Sequence, residues 1–121
     1  MAWQFLRLSK DIGGLQMISQ KDVEKALDFL RDSAEYAAQH RANRVYAEEY
    51  RKTLKAKLMS ESADMPVNAQ EREAYKNVQY IDHLQVMKDA IEEDEKMRFL
   101  IEAAKVKISV WQTMCKSEIN V

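Results

Sequence analysis

From Gly14 to the C-terminus, Pro66 is the one residue that a helix interior cannot accommodate, and the whole chain of 121 residues has two Gly and one Pro. Proline removes a backbone donor and clashes with the preceding turn, and glycine weakens a helix through chain entropy. A chain with so few breakers, 32% charged residues and abundant Ala, Glu, Lys, Leu and Met is expected to form long helices rather than sheets. A hydrophobic content of 46% is high enough to support a folded domain.

Pro66 sits inside the polar stretch Ser60-Glu-Ser-Ala-Asp-Met-Pro-Val-Asn68 and biases Met65 away from helical geometry, so the chain is expected to turn back there. Before it, a helical apolar pattern runs from a start at Ser19/Asp22 to about Met59, with a break allowed near Asp32-Ser33 because both residues prefer caps. After it, Asn68 and Glu71 resemble a capping box for a short helix over about 69–77, interrupted near Asn77-Val78. A second long helix follows over roughly 79–116, with apolar positions including Leu84, Met87, Met97, Leu100/Ile101, Ala104, Ile108, Trp111 and Cys115. The expected fold is all-α, a long helical hairpin with a short intervening helix. Residues 1–18 form an N-terminal arm carrying Trp3, Phe5, Leu6 and Leu8, and 19–121 a single helical domain. Two helices cannot surround their own apolar stripes, so self-association into an oligomeric bundle or ring is the economical way to cover them.

The net charge of −1 averages two unlike halves. Residues 1–59 carry 11 Lys/Arg against 8 Asp/Glu, net +3, and 60–121 carry 8 against 12, net −4. The cations concentrate at the end of the first long helix. There Tyr46, Tyr50, Leu54 and Leu58 follow i, i+4 spacing and are expected to pack, leaving Arg44, Arg51, Lys52, Lys55 and Lys57 to meet an anion. A solvated basic face is the competing reading of the same residues.

Chemistry finds less support. There is no P-loop, dinucleotide fingerprint or nucleophile elbow. His40 and His83 fall on different helices with no Cys nearby, and the run Asp89, Glu92, Glu93, Asp94, Glu95 has no His at i+3 or i+4, so a solvated face or a partner for basic residues suits it better than a metal. Tyr75 and Tyr80, beside the helix interruption, are candidate base-stacking rings. Cys115 is the only cysteine, which excludes an intramolecular disulfide and fits a reducing cytoplasm. The N-terminus is apolar too briefly for a signal peptide, and no apolar run approaches a membrane span. The protein is expected to be cytoplasmic and not an enzyme.

With Leu54-Lys55-Ala56-Lys57-Leu58 closing the first long helix, a polar loop, a short helix, and a last helix ending in Ala104-Lys-Val-Lys-Ile-Ser-Val-Trp111, the chain resembles the phage recombination mediator proteins of the T4 type. The resemblance covers about residues 19–118 and is strongest over the LKAKL run. It implies a small helical protein that forms ring-like oligomers, binds single-stranded DNA without metal or cofactor, and helps replace a single-strand-binding protein with a recombinase. Lys55 and Lys57 match the family's DNA-contacting pair. Met97, Ile101, Ala104, Ile108 and Trp111 lie on the helix that matches its oligomerisation element. The alternative is a helical protein-binding module that inhibits or redirects a host or phage enzyme, anchored by Trp3, Phe5 and Leu8.

Overall fold

The computed structural model describes residues 18–119, and the N-terminal arm with its apolar cluster lies outside the described residues. Every element is a helix: α1 spans Gln20–Ser60, α2 Val67–Lys76 and α3 Val78–Ile119. The two long helices, of 41 and 42 residues, each contribute to two compact units, one built from residues up to 33 and from 100 onward, the other from 34–99.

The start of α1 is a reciprocal capping box. Asp22 N–H donates to Ser19 Oγ at 3.1 Å and Ser19 N–H donates to Asp22 Oδ2 at 3.0 Å. The bond from Ser19 N–H, with the Ser19 hydroxyl as a second and smaller influence, stabilises the ionised carboxylate and holds its pKa below the usual value. From there α1 runs unbroken, so the break allowed at Asp32-Ser33 does not occur. Asp32 pairs at the surface with Arg31 at 2.9 Å and Ser33 is half-buried in the packing row. A propensity deficit of less than about 1 kcal/mol per residue is outweighed by packing on both sides.

The burial pattern in both long helices has a period of 3.5 residues. In α1, Val23, Ala26, Leu30, Ser33, Ala37, His40, Arg44, Ala47, Leu54 and Leu58 are buried or half-buried, at alternating steps of three and four except at Arg51, which is exposed beside a half-buried Tyr50. In α3 the same alternation runs through Tyr80, His83, Met87, Ala90, Asp94, Met97, Ile101, Ala104, Ile108, Trp111 and Cys115 without interruption. This is the seam of a coiled coil, in which under-winding keeps one row facing its partner. It corrects the expected stripe, because Tyr46 is 70% exposed and Ala47 takes the buried place. Strict i, i+4 spacing turns by about 40° per step, so Tyr46 stands about 120° around the helix from Leu58, whereas Ala47 stands about 20° from it. Leu84 and Leu100, also expected to pack, are exposed for the same reason: they lie one position beside His83 and Ile101.

In the unit of residues 34–99, the core is the cluster Leu54, Leu58, Ala74 and Tyr80, with Tyr50 and Met59 packed against it. Ala74, 1% exposed, is small enough to let α2 lie directly on the other two helices. The expected Asn68/Glu71 capping box is not formed. Helix α2 begins earlier, with Pro66 at its N-cap and no side-chain cap, while Asn68 Oδ1 accepts from Ala69 N–H and Glu71 turns away to pair with Lys55. Pro66 presets the entry to the helix with φ −59°, and Gln70 Nε2 donates back to Met65 O at 2.8 Å. The interruption falls where expected. Asn77 is extended, with ψ 137°, and its Oδ1 accepts from Gln79 N–H at 2.8 Å, capping α3. The other unit has Val23, Ala26 and Ala104 as its buried residues, so alanine accounts for half of the buried positions among the described residues.

Candidate nucleic-acid interface

The five cations picked out at the end of α1 have three different environments. The Arg44 guanidinium is surrounded by carboxylates: Nε donates to Glu48 Oε1 at 3.0 Å, and Nη1 donates to Asp94 Oδ2 at 3.1 Å and Glu95 Oε1 at 2.9 Å. Bonds to Glu48, Glu95 and Asp94, in that order, raise its pKa above the ordinary arginine value. Asp94 and Arg44 both occupy the seam, so the charge pair sits between α1 and α3 and is half-buried. The acidic run therefore contains a partner for a basic residue of its own chain. With its Nε and Nη1 hydrogens matched to three carboxylate oxygens, Arg44 is a neutralised cation rather than one open to an external phosphate.

Lys55 is also engaged. Its Nζ donates to Glu71 Oε1 at 2.6 Å and stands 4.8 Å from the centroid of the Tyr75 ring. Glu71 first and Tyr75 second push its pKa up. The pairing fastens α2 to α1. Lys57 points elsewhere, because residues two apart on a helix are separated by about 160° around the axis. Its Nζ lies over the Tyr50 ring at 5.7 Å, the side chain is exposed, and it has no carboxylate partner among the described residues. The matched pair is thus split between opposite sides of α1, and one copy cannot present both lysines to the same short stretch of strand.

Arg51 and Lys52 complete the set. Both are exposed; Lys52 forms a surface pair with Glu49 at 3.3 Å, and Arg51 has no carboxylate partner among the described residues. Exposed pairs of this kind exchange readily with other anions, since they contribute little in water. Arg51, Lys52 and Lys57 are therefore the accessible cations of the original five, within the last three turns of α1 but spread around it, Lys57 about 120° from Arg51 and about 140° from Lys52. Of the two candidate stacking rings, Tyr80 is buried against the core, edge-on to Tyr75 with centroids 5.2 Å apart, while Tyr75 keeps nearly half its surface open. Of the two, Tyr75 is the exposed ring, with Lys55 Nζ beside it.

The same helix pair holds a groove of about 610 Å³, lined by His40, Asn43, Tyr46, Ala47 and Tyr50 from α1 and by His83, Val86, Asp89, Ala90 and Glu93 from α3. Tyr46 and Tyr50 stack with centroids 6.0 Å apart and planes 9° apart. His83 meets Tyr50 edge-on and its Nε2 lies 2.7 Å from Ala47 O, which makes it a seam histidine satisfied by backbone. This groove has no signature in the sequence, because it arises from Tyr46 falling beside the seam rather than in it.

The residues assigned to oligomerisation lie on the packing row of α3. Ala104 is buried, and Met97, Ile101, Ile108 and Trp111 are half-buried, all at seam positions. They are the chain's own packing row before they are anything else. Arg98 and Lys105 pair within α3, with Glu95 at 2.6 Å and Glu102 at 3.5 Å. Among the described residues no group of three or more His, Cys, Asp or Glu is placed to hold a metal ion, and no helix is long and apolar enough to cross a membrane. The sequence matches no protein-family model, and neither curated proteins nor solved structures provide a match to the chain.

Proposed function

We propose that the protein is a non-enzymatic accessory factor that binds single-stranded DNA as a homo-oligomer, with little sequence preference, and helps load a recombinase in exchange for a single-strand-binding protein. The observation that carries the DNA-binding reading is the exposed group Arg51, Lys52 and Lys57 at the end of α1, two of them without a carboxylate partner among the described residues. Phosphates need accessible cations that are not already neutralised, and a single strand also rewards an open ring such as Tyr75 nearby. Among the described residues, nothing beside these cations offers a fixed array of donors for base edges, which fits binding without sequence preference. The loading role rests on the family resemblance alone.

The oligomeric part of the reading is supported by the thin interior. No side chain among the described residues is completely buried, and Tyr46, Val86, Phe99 and Val106 each expose more than half of their surface. Three cations on one copy bind weakly, but repetition around an assembly raises effective concentration and turns the group into a binding track. The test is a titration of a labelled single-stranded oligonucleotide with the wild type and with Arg51→Ala/Lys52→Ala/Lys57→Ala, read by fluorescence anisotropy beside light scattering. The triple variant is expected to lose binding while keeping its mass and helix content. A triple variant that binds like the wild type would sink the assignment.

A further inference from the structure

We infer that the groove between α1 and α3 is the seat for the opposite flank of a second copy of this chain, met head to tail. The inference rests on the assembly half of the function proposed above and supplies what that reading lacks, the two surfaces that meet.

The groove joins apolar surface to unanswered negative charge. Tyr46 and Val86 expose 70% and 54% of their surface, and between and beyond them stand Asp89 and Glu93. Neither carboxylate has a cation within ion-pair distance among the described residues; Asp89 takes only a hydrogen bond from Gln85 Nε2 at 3.0 Å. The opposite flank has the reverse fault. Arg41 and Lys88 are exposed and have no carboxylate partner among the described residues. Helical geometry turns Arg41 about 155° from the mean direction of the groove-lining residues of α1, and Lys88 about 165° from that of α3. The charges a neighbour needs are thus on the flank that faces away.

Height along the helices agrees with a side-by-side contact. Glu93 lines the groove together with His40 and Asn43, so it stands at the level of Arg41, and Asp89 adjoins Lys88 in sequence. Rotation about an axis parallel to the helices keeps every residue at its own height. Copies related in this way bring Arg41 of one against Glu93 of the next, and Lys88 against Asp89, while Tyr46 and Val86 are covered. Such an interface uses two different patches, so it propagates until the rotation closes.

The experiment uses two charge-reversed full-length variants, Asp89→Arg/Glu93→Arg and Arg41→Glu/Lys88→Glu, and reads mass by light scattering at micromolar concentration. Each variant alone is expected to fall to the 14.1 kDa of a single chain with helix content retained. Mixed in equal amounts, they regain a multiple of that mass, because each seat then meets an opposite flank. Either variant keeping the wild-type mass, or a mixture that stays dissociated, overturns the seat while leaving assembly by other surfaces intact. A wild type that itself runs as a single chain overturns both readings.

Discussion

The division of the five cations into accessible and occupied ones makes a quantitative statement about salt. For single strands, the slope of log affinity against log salt is about −0.7 per phosphate neutralised, so Arg51, Lys52 and Lys57 give about −2.1 for each subunit engaged. Between about 50 and 200 mM salt that slope costs about 18-fold in affinity per subunit, and removing one cation reduces the cost to about 7-fold. Lys57→Ala is therefore expected to reduce the slope by one third, whatever number of subunits touch the strand. Arg44→Met is expected to leave it unchanged, because the guanidinium is matched by Glu48, Asp94 and Glu95 and displaces no counterion from DNA. The assay is anisotropy of a labelled oligothymidylate over a salt series, with the three proteins at equal helix content. An Arg44→Met slope reduced as much as that of Lys57→Ala would show that the ion cluster opens to phosphate, and the division would be wrong.

Two further predictions concern the packing. Leu58→Ala removes three carbons from a side chain only 3% exposed in the cluster under α2, and is expected to cost about 3 kcal/mol, whereas Leu27→Ala, at a position 52% exposed, is expected to cost about 1 kcal/mol; urea unfolding at fixed protein concentration measures both, and equal losses would contradict the seam. Arg98 first and Arg44 second hold the Glu95 carboxyl below its ordinary value of 4.5, so the stability it contributes is present above that value and is lost as pH falls through the lower folded-state pKa. Thermal melts of wild type and Glu95→Gln between about pH 2 and pH 6 are expected to differ most at the upper end and to converge in acid; a gap that widens in acid would contradict the assignment.

The element boundaries were legible because their signals are local. Ser19 and Asp22 cap α1, Pro66 ends the loop, and Asn77 separates α2 from α3 through hydrogen bonds within a few residues. What could not be read locally was which neighbour claims a charge. Lys55 looks free in sequence, and only the return of the chain brings Glu71 to it across 16 positions; the same holds for Arg44, whose partners lie 50 and 51 positions away. The register is present in the sequence: alternating steps of three and four pick out Ala47 and His83, whereas the larger side chains of Tyr46 and Leu84 stand beside the seam. The N-terminal arm, expected to supply docking anchors, lies outside the described residues.

The seven-residue seam also limits how the lengths of α1 and α3 can change. Inserting one residue in either helix turns everything beyond it by about 100° and carries a whole row of side chains off the partner helix. Changes of seven residues preserve the facing row, and changes of three or four are absorbed only by local unwinding or overwinding. The turn over residues 61–66, which bears no seam position, is free of that restriction. Divergent copies of this chain should therefore differ in helix length by whole heptads, while the connection before α2 grows or shrinks one residue at a time.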